Sequence, residues 1–471
     1  MRKLTVIILV LSIILCATPA MAVDVAEDFS VVSGCNTLEG QTPFLGTQKL
    51  VENGEAMVLY ELGTDTLMYA DNADEQLPPA SLIKILTALI AVEKGNLDDL
   101  VTVKQAVLDT LDPDAAMASP RLVADEVLTL RDLLCCMMVS AANDAAVVLA
   151  DYVMGSQDAF VAEMNRYAEE LGCTNTNFVN VHGLHHKDQY TSARDIARIL
   201  AKGIQNEQFC EIFFADKYVV PATNKNESRI LVTQNYLMNK DIVVIHYDER
   251  VKGSRTGTTA NGTTNIGSYA EVDDMKLISV VMGSASTYDE KTGYVKVFGG
   301  YGETQQMLDL GFTGNKACQL IYENQVLKQV PITDGSSDVT IASKEARSSV
   351  IPADMTLDRL EYRYVNEVPL TLPVQEGQHV STLQIWCNNV CIAQTDIFAM
   401  SNVVAADHVF LDEEKQSVDV ARVLGVVFKI IGVILIVGLL IVVAFNLRKF
   451  NQIAKQTRQR RRNRRNRRRS R

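Results

Sequence analysis

From Val423 to Phe445 the chain is almost wholly apolar, with Lys429 as its one charge. At 1.5 Å per residue such a run makes a helix about 35 Å long, enough to cross a bilayer core. Residues 423–446 therefore read as a transmembrane helix, with Lys429 near enough to one end to reach the headgroups. The tail behind it, 447–471, carries thirteen Lys and Arg and no acid. Basic flanks stay in the cytoplasm, so everything before the span is expected on the other side. The opposite end agrees. Met1-Arg2-Lys3, an apolar run from Leu4 to Cys16 and then Ala20-Met21-Ala22 read as an export signal over 1–22, cleaved after Ala22.

This topology changes how charge is read. The formal net charge is −12, and removing the basic tail leaves the exported part far more acidic than that total. The tail itself has two readings, a nucleic-acid arm or an anionic-lipid contact. Its place beside a membrane span favours lipid, and no nucleic-acid partner is expected. The exported chain keeps eight cysteines, none at zinc-site spacing. Cys135 and Cys136 read as small buried hydrophobes. Cys387 and Cys391 flank the turn Asn388-Asn389, where a bridge is possible.

About 400 exported residues exceed one comfortable core. After a linker over 23–40, residues 41–302 mix helical periods with short strands and form a first domain. From 316 to 401 the texture becomes short alternating segments, LEYRYVN and STLQIWC among them, which predict a small, mostly β domain. A polar, acidic stalk over 402–422 follows. Within the first domain AMVLYELGTDTLMYA predicts two strands joined at Gly63-Thr64-Asp65.

The chemistry concentrates in three places. In LPPASLIKILTALIAVEKG, Pro78 and Pro79 suit a helix start just after them, which puts Ser81 in the first turn and Lys84 one turn on. A serine hydroxyl needs a base, and a lysine serves only where burial or a nearby cation pulls its pKa down. Alone, Ser-x-x-Lys is matched as well by a capping serine and a surface lysine. The second place is SAANDA, Ser140–Ala145, which interrupts two apolar helical runs with polar residues. The third is VKGSRTGTT, where Arg255, Thr256, Gly257 and Thr258 lie on a strand beside the clear strand KLISVVMG. A cation, a hydroxyl and a glycine there suit carboxylate binding and close backbone approach.

Together these segments resemble the low-molecular-weight penicillin-binding proteins, D-alanyl-D-alanine carboxypeptidases related to the serine β-lactamases. The resemblance spans nearly the whole exported part. It includes NDAAVVLA, the stretch MNRYAEELGCTNTNFVNVHGLHHKDQYTSARDIARI and the late segment EVPLTLPVQEGQHVSTLQIW. It implies an α/β (α+β) transpeptidase-like catalytic domain with an antiparallel sheet and a helical subdomain, then a small all-β domain and the C-terminal transmembrane helix. The implied location is a bacterial cell membrane, with the catalytic domain extracytoplasmic.

Carried over by position, the resemblance makes Ser81 the acyl-accepting nucleophile and Lys84 its general base. Asn143 would bind the substrate backbone and hold Lys84. Arg255 and Thr256 would take the terminal carboxylate, with Gly257 beside them, and the N–H groups of Ser81 and Thr258 would form the oxyanion hole. Asn180, His182 and Tyr190 read as scaffold. The implied reaction removes the last D-Ala from peptidoglycan pentapeptide stems, and β-lactams would acylate the same serine; no metal or cofactor is needed.

Two positions depart from the family pattern. Arg255 replaces the usual Lys and keeps its charge at any relevant pH. Ala141 stands where the family has a serine that relays a proton to the leaving group, while the available hydroxyl, Ser140, is one residue early. Ser140 in a loop could reach the cleft as a relay; in a helix it would be turned about 100° away. Two functions follow, an active D,D-carboxypeptidase with Ser140 or a water as relay, or a weak or inactive wall-peptide-binding homologue. A β-lactamase is disfavoured by the β domain and by the absence of an evident acidic deacylation residue.

Overall fold

The computed structural model describes residues 37–406 apart from 41, 47, 112–120 and 289–294. The export signal, the apolar span at 423–446 and the basic tail lie outside the described residues. Among those described, no helix is long and apolar enough to cross a membrane. The chain divides into two units, and among the described residues the smaller gathers segments 331–339, 371–375 and 402–406. Inside it, isolated bridges join Gly335 to Ala405 and Val374 to Val403.

The larger unit is organised by a five-stranded antiparallel sheet in the order Thr66–Asp71, Ala56–Glu61, Met275–Ala285, Thr263–Val272, Val251–Thr258. Side chains alternate across a strand, so a sheet covered on both faces must be apolar at every position. The strand AMVLYE obeys from Ala56 to Tyr60, and all six of its residues are buried, Glu61 at the turn included. Val58 and Tyr60 face a core with Leu86, Leu89, Ile196 and Leu200, whereas Met57 and Leu59 face a second core with Met307 and Leu308. Helices therefore cover both faces: Lys84–Lys94 and Ala193–Ile204 on one, Tyr301–Phe312 on the other.

The expected hairpin at Gly63-Thr64-Asp65 is present. Glu61, fully buried, accepts from Thr64 N–H and Lys276 N–H, and Asp65 takes a positive φ of 52°. Behind the catalytic sheet the chain turns to β structure. A second five-stranded sheet runs Val326–Val330, Val339–Ser343, Val390–Ala399, His379–Cys387, Glu361–Val365, and Asn315–Ile321 pairs with Arg347–Pro352. This last strand docks on the catalytic sheet, since Val350 joins the core of Leu59 and Met68, and Val350 N–H donates to Thr66 Oγ1 at 3.2 Å.

The bridge considered between Cys387 and Cys391 does not form; every described cysteine is free. Asn388 and Asn389 both have positive φ, as a two-residue hairpin loop requires. That loop sets Cys387 opposite Val390 and Cys391 opposite Trp386, so the two thiols are not cross-strand partners. Cys135 and Cys136 are buried in the helix Leu130–Val139, and burial pushes the Cys135 thiol up to about 12.

Candidate active site

The nucleophile candidate sits on a tight entrance to a buried helix. Ala80–Ile83 form a single 3-10 turn that runs into the α-helix Lys84–Lys94. Ala80 has φ of 48°. An L-residue there costs roughly 1–2 kcal/mol, and apart from Ala80 and Ala141 every described non-glycine residue with positive φ is Asn or Asp. Both exceptions lie in this site. Strain of that kind persists where surrounding structure imposes it, and here it aims Ser81 out of the turn, half-exposed, while Lys84 points inward and is fully buried.

Lys84 Nζ lies 3.1 Å from Ser81 Oγ and 2.7 Å from Asn143 Oδ1, and it also bonds the His182 carbonyl. Burial, and then the Arg255 guanidinium, hold its pKa well below the usual lysine range; Asp144 opposes them. A neutral amine has two N–H donors and one lone pair. Asn143 Oδ1 and the His182 carbonyl can only accept, so they take both donors and leave the lone pair for the Ser81 proton. This is the geometry of a base poised on a hydroxyl.

SAANDA divides: Ser140–Ala142 form a loop, and Asn143 opens the next helix. The helix Leu130–Val139 ends at Ser140, Ala141 turns with φ of 63°, and Asn143–Met154 begins the next helix. Asn143 is thereby presented to Lys84, and Asp144 turns inward to accept from Leu122 N–H and Ala145 N–H, both at 2.9 Å. Ser140 is half-buried and makes no hydrogen bond to Lys84.

The strand Val251–Thr258 is the free edge of the sheet. Its Gly257 abuts the nucleophile: a Cβ there would stand 2.6 Å from Ser81 N. Thr259 N–H donates to Thr263 O at 2.9 Å, so the preceding pair, Thr258 and Thr264, is the non-hydrogen-bonded kind. Thr258 N–H consequently points off the open edge. Arg255, two residues before Gly257, shares its face. Its Nη1 donates to Met138 O at 2.8 Å and its Nε to Ser81 O at 3.4 Å, while Nη2 is buried without a partner among the described residues. Burial lowers the guanidinium to about 10. Thr256, half-buried, is bonded to the Tyr301 phenol.

A cleft of about 260 Å³ opens over Ser81, walled by Asn143, Thr258, Thr259 and the stretch His182–His186. Among the described residues, its walls do not include Ser140, Arg255 or Thr256, so these three do not face this part of the site. Sequence reasoning underrated the His182–His186 wall. Gly183 has φ of 88°, and a Cβ on it would lie 2.0 Å from Ala80 O, so only glycine lets the loop close on the nucleophile turn. His182 supplies the carbonyl that fixes Lys84, and burial holds its ring neutral, with a pKa near 3. The glycine next to a histidine was the available signal. Asn180 accepts from Gly183 N–H at 2.7 Å, and Tyr190 pairs with Asn177; both brace the loop. Among the described residues no cluster of His, Cys, Asp and Glu could hold a metal.

A serine on a strained turn, a buried lysine with its lone pair on that serine, and an edge strand against both define a serine-nucleophile hydrolase. Comparison with known proteins narrows the class. Residues 46–286 match the D-alanyl-D-alanine carboxypeptidase family, and residues 316–405 match the C-terminal domain of penicillin-binding protein 5. A D-alanyl-D-alanine carboxypeptidase of Escherichia coli, DacC, is 31% identical over 359 residues, spanning 74% of this chain and 84% of the relative. DacF of Bacillus subtilis is 27% identical over 366 residues, 76% of this chain and 88% of the relative. Penicillin-binding protein 5 of Haemophilus influenzae superposes with a TM-score of 0.60 at 25% identity, over 76% of this chain and 99% of that one. The chain belongs to the D-alanyl-D-alanine carboxypeptidase family, serine-type carboxypeptidases of the hydrolase class.

Proposed function

We propose that this protein removes the terminal D-Ala from peptidoglycan pentapeptide stems through an acyl-enzyme on Ser81. The observation that carries the reading is Lys84, whose two donors are occupied by acceptor-only groups and whose lone pair faces Ser81 Oγ. Lys84 takes the hydroxyl proton as Oγ attacks the carbonyl carbon of the penultimate D-Ala. The developing oxyanion is received by Ser81 N–H and Thr258 N–H. The free edge of Val251–Thr258 aligns the peptide by strand addition. Arg255 bears on the terminal carboxylate and on Lys84 through its charge. The leaving D-Ala nitrogen takes up the proton, and water then hydrolyses the ester. A penicillin enters the same path as far as the acyl stage.

The site is extracytoplasmic in this reading, held by a single-pass helix at 423–446, with the basic tail on anionic lipid. Protease treatment of intact cells tests this: the exported part is cleaved and the tail is protected.

Ala141 favours a second reading. It offers no hydroxyl, and Ser140 makes no bond to Lys84, so a weak or inactive wall-peptide binder retains the same site. Intact mass after penicillin treatment, with D-Ala release from a pentapeptide, separates the two. An adduct that disappears in Ser81→Ala together with D-Ala release supports the enzyme; an adduct without release supports the binder, and no adduct overturns the enzyme.

A further inference from the structure

We propose that His185, His186 and Lys187 form a subsite for a carboxylate on the substrate residue that precedes the D-Ala pair. The inference rests on the D-Ala-D-Ala reading of Ser81. Three of the protein's six histidines, His182, His185 and His186, line the cleft that opens over Ser81. A chain of formal net charge −12 offers few places that attract an anion. His185 and His186 stand on the wall of the cleft that Thr258 and Thr259 also wall, and Lys187, which does not line it, adds one cation next along the loop.

This loop is held in place before any ligand arrives. Asn180 Nδ2 and Gln189 Nε2 both donate to Leu184 O, at 3.0 and 3.2 Å, and Gln189 Oε1 accepts from Val179 and Asn180 N–H. Gln189 is itself buried. His186 is oriented by Asp188 N–H, which donates to its Nδ1 at 3.2 Å, so the ring carries its proton on Nε2. Asp188 Oδ2 lies 3.8 Å from that same Nδ1. His185 and Lys187 are exposed, and among the described residues they have no hydrogen-bond or ion-pair partner. Three donors on a braced loop, with nothing of the described protein to satisfy them, fit a charged acceptor carried by the ligand.

The test uses two synthetic peptides ending in D-Ala-D-Ala, identical except that the preceding residue bears a carboxylate in one and a carboxamide in the other. Their affinities are measured on the full-length protein carrying Ser81→Ala, so that turnover plays no part. The carboxylate peptide is expected to bind about tenfold tighter, and that ratio to shrink with rising ionic strength. Adding His185→Gln, His186→Gln and Lys187→Gln brings the ratio to about one. The pair His185→Gln and Lys187→Gln, which leaves the His186 bond to Asp188 intact, brings it most of the way. Equal affinity in the Ser81→Ala protein, or a ratio that survives the triple change, overturns the subsite. Binding of neither peptide overturns it as well, and the penicillin adduct on Ser81 then shows whether the carboxypeptidase reading has failed with it.

Discussion

Two buried cations in this protein meet opposite surroundings. Arg194, about 4% exposed, is held by Asp74 through Nε at 2.8 Å and Nη2 at 3.1 Å, while Nη1 donates to the carbonyls of Leu38 and Gly40. Each of the three nitrogens reaches an acceptor and the charge is matched by a carboxylate. Lys84 is fully buried, its hydrogen-bond acceptors are neutral, and the stronger of the two charges that act on it is the Arg255 cation, not the Asp144 carboxylate. A buried charge that is paired holds structure together. One left unpaired gives up its proton, and the neutral amine that results is a base.

The difference can be broken from both sides. Lys84→Met keeps the volume and removes the base. Acylation of Ser81 by penicillin is expected to fall by about 10³-fold or more, while unfolding free energy changes by less than about 1 kcal/mol, because no longer burying the amine offsets the donor lost to Asn143 Oδ1 and the His182 carbonyl. Arg194→Met does the reverse. It strands the Leu38 and Gly40 carbonyls and unpairs Asp74, and unfolding free energy drops by about 2–4 kcal/mol, with acylation per folded molecule within about threefold of the parent. Denaturant titration and adduct kinetics on both variants decide it; equal stability losses would erase the distinction.

The contrast also explains what was legible in the sequence. The apolar run around Lys84 marked a lysine with no solvent to reach, and Pro78-Pro79 fixed where its helix starts. The hairpin at Gly63-Thr64-Asp65 and the loop at Asn388-Asn389 were readable because turn chemistry is local. Alternation showed the late β region, but not that Val350 enters the core of the catalytic sheet, since docking of one layer on another leaves no period. The His182 carbonyl was invisible for a related reason. A backbone acceptor has no residue type, and only Gly183 beside it betrayed how closely that loop approaches Ala80. The same limit applies to the edge strand. Arg255 and Thr256 are neighbours in sequence, yet alternation sends one to Ser81 and the other to Tyr301.

The charge beside Lys84 gives a pH signature. Protonated Lys84 cannot accept from Ser81, so acylation falls as pH drops through its lowered pKa. Unfolded lysine holds its proton to about pH 10.4. Between those two values the unfolded chain binds more protons, and stability from this group rises with pH. Arg255→Gln removes the second cause of the shift, so the acid limb of the acylation profile moves to higher pH. Arg255→Lys restores a cation and moves the limb back toward the parent. A profile unmoved by Arg255→Gln would leave burial as the sole cause.

Ala141→Ser is the mildest change and the one that bears most on mechanism. Position 141 lies two residues before Asn143, whose Oδ1 is 2.7 Å from Lys84 Nζ, and in a left-handed turn that already carries a Cβ. Adding an oxygen to that Cβ leaves the backbone cost unchanged, since serine at positive φ is strained as alanine is. Once Lys84 has taken the Ser81 proton, a hydroxyl there could accept from the ammonium and donate to a leaving nitrogen. The acylation rate is expected to rise about tenfold, below the 10²–10⁴ typical of a full acid–base group because Lys84 already serves as base. Ser140→Ala on the parent supplies the counterpart. If Ser140 relays the proton, that change slows acylation and Ala141→Ser rescues it. If a water does, Ser140→Ala is silent and Ala141→Ser still accelerates. A rate lowered by Ala141→Ser would mean that the new hydroxyl competes with Ser81 for the Lys84 lone pair.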